Sequence, residues 1–298
     1  MTRSPQPSGG ALPTLAIAVT LILWASAFVG IRALAGVFDP VALTLGRLLV
    51  GSAALGLWLL VTRTWVRPSP SQWWRMLAIG VLWYAVYNVA LNAGERLIDA
   101  GTAAMLIQIS PILIAVLSVL FLGERVHVWL LIGMVVALAG VVVIGAPEAG
   151  GDLLGIGLCL IAALTYSIAL VVQKPLAGHL PAIQVTWIAC TTAVLATAPW
   201  AGALVTQAGC AGLHDLGWLV YLGVFPTAIA FSTYGYALRY LPASRLGVTT
   251  YLVPPIAALI SLVLLREVPP VITWIGGAMC LLGVALTRRQ AGSSRVAR

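Results

Sequence analysis

Residues 110–125, SPILIAVLSVLFLGER, and residues 253–268, VPPIAALISLVLLREV, are two copies of one unit set 143 positions apart. Pro111 falls on Pro254, Ala115 on Ala258, Ser118 on Ser261, Leu122 on Leu265 and Glu124 on Glu267. The register runs on without a gap, from Arg96 on Arg239 and Ala100 on Ala243 to Val128 on Val271, Gly133 on Gly276, Leu138 on Leu281 and Gly140 on Gly283. Apolar segments share Leu, Val and Ala through composition alone, so the Arg, Pro, Glu and paired Gly matches carry the weight. Self-similarity at a fixed offset marks a duplicated structural unit.

Composition fixes the solvent. Apolar residues make up 61% of the 298 and charged residues 8%, with a mean hydropathy of +1.05. A chain of this length cannot hide so much apolar surface in a water-soluble core, so it needs lipid. Apolar runs of roughly 20 residues occur at about 12–33, 40–62, 73–94, 100–122, 127–146, 153–174, 182–205, 216–238, 244–265 and 270–288. They are continuously apolar rather than alternating at period two, which predicts helices and not a barrel. The short connections leave no room for a soluble catalytic or nucleotide-binding domain. Residues 1–11, with Pro5, Pro7, Gly9 and Gly10, read as a disordered leader, and 289–298 as a basic cytoplasmic tail. The first run continues through Phe28 to Arg32 without a cleavage site, so it reads as a span and not a signal peptide.

The offset places five crossings in each unit, 12–146 and 147–288. An odd number inverts the second copy relative to the first. The expected fold is therefore an all-α membrane protein of ten transmembrane helices, built as two inverted five-helix repeats around a central cavity. Such repeats exchange two related arrangements and expose one site first to one side and then to the other. The alternative is a duplication that only built a stable bundle.

Lys and Arg set the orientation. Arg63, Arg67, Arg75, Arg125, Lys174, Arg239 and Arg245 fall on one side with both chain ends, whereas Asp39, Glu95, Asp99, Glu148, Asp152, Asp215 and Glu267 fall on the other. Both termini are predicted cytoplasmic, in the inner membrane of a bacterium. The net charge of +8 is then a topology signal; its arginines form no stripe for nucleic acid. The partners expected are the lipid bilayer and a small-molecule substrate, with the chain a monomer or homodimer.

Several chemistries are excluded. Cys159, Cys190, Cys210 and Cys280 form no CxxC pair, and His127, His179 and His214 lie far apart, so no metal, disulfide framework or cofactor is expected. There is no HExxH or GxSxG, and the single lysine, Lys174, precedes proline instead of closing a phosphate loop. No catalytic residue and no enzyme activity are expected. A channel is the other rival, disfavoured because proline-bent repeats suit a gated cavity.

Candidate binding residues are polar or aromatic groups that lipid would penalise. Tyr84, Asn88, Asn92 and Glu95 share one helical face, which points either at a cavity or at an interhelical hydrogen-bond seam. Gln108 coincides with Tyr251 under the repeat, each three residues before a repeated proline, Pro111 and Pro254. A proline there removes a backbone donor and frees a carbonyl, so the helices should bend beside a site or be shaped for packing. Arg47 lies inside a span and must be compensated: by a substrate carboxylate, by a gate residue, or by snorkelling and helix carbonyls. Trp24, Tyr84, Tyr166, Trp187, Tyr234 and Tyr251 are candidates to wall a pocket for bulky side chains, and Glu95 is the best placed to titrate as a gate. Gly133 with Gly140, and Gly276 with Gly283, form small-residue seams between the halves or between protomers.

The stretch Trp24-Ala25-Ser26-Ala27-Phe28, ending at Arg32, resembles the opening motif of the EamA family in the drug/metabolite transporter superfamily. Pro40 with Arg47, Ser110-Pro111 leading to Gly123-Glu124-Arg125, and Tyr251-Leu252-Val253-Pro254 leading to Arg266-Glu267-Val268 fit the same pattern. Ala25 and Arg266 stand where glycine is common. The resemblance covers about 12–288 and adds Ser26 to the candidate site. It implies four helices of each half around the path, with the fifth and tenth as buttresses, and export of amino acids or related small metabolites. Exporters of aromatic amino acids are one neighbourhood within it, a substrate that spacing alone does not give. With no carboxylate at mid-membrane, uniport or passive efflux is expected; the alternative is proton-coupled export of drug-like cations or nucleotide-sugar-type metabolites.

Overall fold

Among the described residues every apolar run is helical over at least part of its length. The computed structural model describes residues 11–34, 36–98, 103, 106–145, 152–265 and 271–288. The N-terminal leader up to residue 10, the tail from 289, Asp99, Glu148, Arg266 and Glu267 lie outside the described residues. The helical units are α1 (Ala11–Leu34), α2 (Pro40–Thr62), α3 (Pro70–Gly94), α4 (Ser110–Leu122), α5 (Val128–Gly145), α6 (Leu153–Leu176), α7 (Ala182–Cys210), α8 (Leu213–Leu238), α9 (Ala243–Thr249 and Val253–Leu265) and α10 (Val271–Arg288). Among the described residues there is no β-strand, and seven helices are long and apolar enough to cross a membrane; α4, α5 and α10 are shorter apolar helices.

Local chemistry sets the ends. Pro40 follows an extended Asp39 and starts α2 with its ring in place of an unneeded donor, and Arg63 stops it in the left-handed region at φ 51°. Ser69 and Gln72 form a capping box ahead of α3, and the Asp152 carboxylate accepts from Leu154 N at 2.8 Å to cap α6. α4 begins at Ser110, after a turn at Gln108 and Ile109, and places Pro111 in its first turn. The corresponding break in α9 is the 3-10 turn Thr250–Leu252, just before Pro254.

The repeat is visible in the packing. α5 lies against α10, where a Cβ added at Gly140 would sit 2.5 Å from the Gly276 carbonyl, and one at Gly276 2.5 Å from the Gly140 carbonyl. Gly133 and Gly283 meet the same way. Between these crossings Cys280 Sγ donates to the Ala137 carbonyl at 3.5 Å. Ala137 and Cys280 are themselves 143 apart, so the pseudo-two-fold axis passes there. Of the two uses the sequence left open, the glycines serve the seam between the halves of one chain.

A second symmetric feature is irregular. α3 contains a π-helical segment, Gly80–Tyr87, and α8 another, Gly223–Ile229, both opening on glycines 143 apart. Each packs on the second helix of the opposite half: a Cβ at Gly80 would lie 2.7 Å from the Ala189 carbonyl on α7, and one at Gly223 2.8 Å from the Arg47 carbonyl on α2. The wide turns leave carbonyls that side chains satisfy. Asn88 Nδ2 donates to Trp83 O at 3.2 Å and Tyr84 O at 2.9 Å, and Thr227 Oγ1 donates to Leu222 O at 2.8 Å.

The end of the bundle carrying Arg75, Lys174 and Arg239 is called the basic end below, and the end carrying Asp39, Glu95 and Asp152 the acidic end. At the basic end Glu124, from the first half, accepts from Ala243 N at 2.7 Å, Ser244 N at 3.1 Å and Ser244 Oγ at 2.6 Å. It caps the start of α9 with a full negative charge on unpaired backbone donors. Lys174 Nζ closes the end of α8 on the Leu238 and Leu241 carbonyls at 2.6 and 2.5 Å. Glu124→Ala is expected to destabilise the fold by about 2–3 kcal/mol, from the range for charged hydrogen bonds and lost caps. The thermal midpoint of purified protein should fall well below that of Arg67→Ala, an exposed control; equal midpoints would remove the cap from the account.

Candidate functional site

Four helices meet at the centre through aromatic rings. Trp24 of α1 lies 4.8 Å from Tyr234 of α8, Trp83 of α3 lies 4.9 Å from Tyr166 of α6, and Tyr84 lies 4.5 Å from Phe231, all between ring centroids. The hydroxyls of Tyr166 and Tyr234 share a hydrogen bond at 2.8 Å. Tyr84 is 1% exposed and Trp83 2%. Four expected pocket residues, Trp24, Tyr84, Tyr166 and Tyr234, thus come together, joined by Trp83, Tyr87 and Phe231. They pack on one another as a plug.

The remaining candidates separate. Trp187 stands with Trp65 at 6.0 Å, outside the plug. Tyr251 is buried among Ala115, Met134, Ala137 and Cys280 near the α5–α10 seam, with its hydroxyl unpartnered. Gln108 donates to the Thr250 carbonyl at 2.9 Å, which joins the two helix breaks across the halves. Ser26 shares a hydrogen bond with Tyr221 at 2.6 Å.

The polar stripe on α3 faces α2. Asn92 Nδ2 donates to Thr44 Oγ1 at 3.0 Å and to Pro40 O at 3.3 Å, so in this arrangement the stripe is a hydrogen-bond seam. Arg47 is 5% exposed; its Nε donates to Thr227 Oγ1 at 3.0 Å and its Nη1 to Asn88 Oδ1 at 3.4 Å. It does not snorkel. Its guanidinium joins Thr227, inside the π-helical segment of α8, to Asn88, the residue just after that of α3, and these hydrogen bonds supply part of the compensation that a buried charge demands. Glu95, close enough to Arg47 to interact electrostatically, keeps Oε1 buried without a partner.

The two ends of the bundle differ. At the acidic end Asp39 meets Arg96 Nη1 at 3.2 Å, and Arg96 Nη2 donates to the Phe38 carbonyl at 3.0 Å. Gln207, on α7 of the other half, donates to Asp39 Oδ2 at 2.6 Å and accepts from Asp39 N at 2.8 Å. Beneath this latch Ile31, Leu34, Phe38, Leu204 and Leu222 form a buried apolar cluster. At the basic end a cavity of about 480 Å³ opens between the ends of α2, α6 and α8 and the start of α7. Trp58, Ile183 and Tyr236 wall it, and Gln173, Ser232 and Arg239 supply its polar groups.

The comparisons with known proteins agree with this architecture. Residues 12–146 and, again, 153–289 match the EamA-like transporter family. The chain belongs to the EamA-like transporter family. It is 35% identical over 282 residues to a probable terminal-alkyne amino-acid exporter of Streptantibioticus cattleyicolor, covering 92% of this chain and 93% of that one. It is 33% identical over 270 residues to the uncharacterized transporter YdfC of Bacillus subtilis, covering 89% and 87%. A solved crystal structure, 21% identical, superposes with a TM-score of 0.76 over 94% of this chain and 98% of its own, which shows the shared fold.

In this EamA-like transporter no expected binding residue lines the cavity. Gln173 and Arg239 were missed because each sits at a span end, where polar residues are ordinary, and Ser232 because a lone serine inside a span is ordinary packing. A usable signal was present: under the 143 shift Arg239 answers Arg96, yet Ala182 stands where Asp39 has a carboxylate.

Proposed function

We propose that this EamA-like transporter moves amino acids or related small metabolites out of a bacterial cell across the cytoplasmic membrane by alternating access. Ten crossings in two inverted five-helix halves, with both termini cytoplasmic, complete the reading. The carrying observation is the unequal state of the two ends: a latch and apolar cluster at one, a cavity at the other, at positions the repeat relates. Exchange of the two halves' conformations would reverse which end is closed. Similarity to an amino-acid exporter supports the substrate class, and the absence of a carboxylate at mid-span supports passive efflux.

Proteoliposomes preloaded with unlabelled amino acids should show saturable, transient counterflow of labelled leucine. Indifference to the whole amino-acid panel, with uptake of nucleotide sugars instead, would overturn the substrate class; conductance without saturation would favour a channel. A second reading, proton coupling, is favoured by the buried, unpartnered Glu95 Oε1. Passive efflux predicts that an imposed pH gradient drives no accumulation. Accumulation abolished by Glu95→Gln would establish the second reading.

A further inference from the structure

The latch has a counterpart with one part missing. Shifting by 143 carries Arg96 to Arg239, Asp39 to Ala182 and, in the opposite direction, Gln207 to Thr64. Arg239, Ala182 and Thr64 all line the cavity at the basic end. The same corner of the fold is closed at one end by Asp39 and left open at the other, where that carboxylate is absent.

Other groups on the wall also want partners. Gln173 Oε1 and Ser232 Oγ are buried with no hydrogen bond, in residues 4% and 8% exposed. A buried acceptor without a donor is costly, so such atoms mark where a ligand or water completes the site. Among the described residues no carboxylate lies within ion-pair distance of Arg239, whose guanidinium rests 5.8 Å over the Tyr240 ring. Trp58, Ile183 and Val185 supply apolar wall to the same cavity. The volume is within the roughly 300–1,000 Å³ usual for small-molecule sites.

We propose that this cavity is a binding site for a zwitterionic amino acid whose own carboxylate takes the place of the absent Asp39 equivalent. The carboxylate meets Arg239, the ammonium donates to Gln173 Oε1 and Ser232 Oγ, and an apolar side chain lies against Trp58 and Ile183. The inference rests on the amino-acid reading above and adds the site and the orientation. Gln173 lies seven residues beyond Tyr166 on the same face of α6, two turns or roughly 10 Å along the axis. A molecule bound there waits directly below the aromatic plug, at the entrance from the basic end. The ligand supplies half of the second latch, so the inner corner closes on cargo and stays open without it.

Purified full-length protein in nanodiscs tests this by equilibrium binding of L-leucine, of 3-methylbutylamine, which lacks the carboxylate, and of 4-methylpentanoate, which lacks the ammonium. Leucine should bind at least about tenfold more tightly than either, the loss expected for one charged hydrogen-bonded group. Arg239→Gln should remove the preference for leucine over the amine, and Gln173→Leu the preference over the acid. Ala182→Asp should build the missing latch internally, raise the thermal midpoint and abolish leucine binding. Unchanged leucine affinity in Ala182→Asp and Arg239→Gln overturns the site, as does the absence of saturable leucine binding to wild type. Counterflow separates the two readings: amino-acid counterflow with unaffected variants sinks this site and spares the function, whereas no amino-acid counterflow at all sinks the function. Thermal midpoints at or above the wild-type value exclude misfolding of the variants, and Arg239→Lys, which keeps the charge, should retain leucine binding.

Discussion

Gly140→Leu is expected to leave little folded protein in the membrane. A Cβ at Gly140 already falls 2.5 Å from the Gly276 carbonyl and 2.9 Å from Cys280 N, both backbone atoms of α10 that cannot step aside. Overpacking typically costs about 1–3 kcal/mol where side chains can shift, and more where backbones must part. Here the two halves would separate along the whole seam, a large share of the roughly 5–15 kcal/mol that holds a native protein together. Gly157→Leu is the matched control, since nothing lies within 4 Å of a Cβ there. Size-exclusion profiles and thermal midpoints of the two variants in detergent should differ sharply; coincident behaviour would mean that close approach of α5 and α10 does not hold the halves together.

Arg47→Met is expected to reduce transport at least about tenfold, the equivalent of losing one interaction of roughly 1.4 kcal/mol in the limiting step, while folding is retained. The guanidinium joins Thr227 in one π-helical segment to Asn88 beside the other, so it couples the irregular turns of both halves. Replacing a buried charge by an apolar side chain of similar volume is often neutral or stabilising. Thermal stability and counterflow should therefore move apart: midpoint held or raised, rate lost. A midpoint falling in step with the rate would assign Arg47 to packing alone, and a rate at the wild-type level would remove it from the conformational cycle.

Much of the fold was legible because lipid imposes continuous apolar runs and because duplication leaves matching glycines and prolines. The runs at 40–62 and 153–174 fall almost on α2 and α6, and the Gly133/Gly140 and Gly276/Gly283 pairs were readable as a seam. The site was harder. Tyr84, Tyr166 and Tyr234 could be named as aromatic groups facing inward, but spacing cannot say whether rings face a void or each other. Asn88 and Asn92 read as one stripe, and only the packing of α2 shows that their partners are Arg47 and Thr44. The π-helical turns had no usable signature: Gly80 begins one with no proline in its segment, and Pro226 lies inside the other. Arg239 and Gln173 became meaningful only when the Asp39 latch was seen and its carboxylate sought in the second copy.

The wide turns in α3 and α8 also carry history. A π-helical turn arises when one extra residue enters an α-helix, and Gly80 and Gly223 keep the same ungapped register as the rest of the duplication. The wide turn therefore predates the duplication: a single-copy precursor already possessed it, and each half of the modern chain retains it.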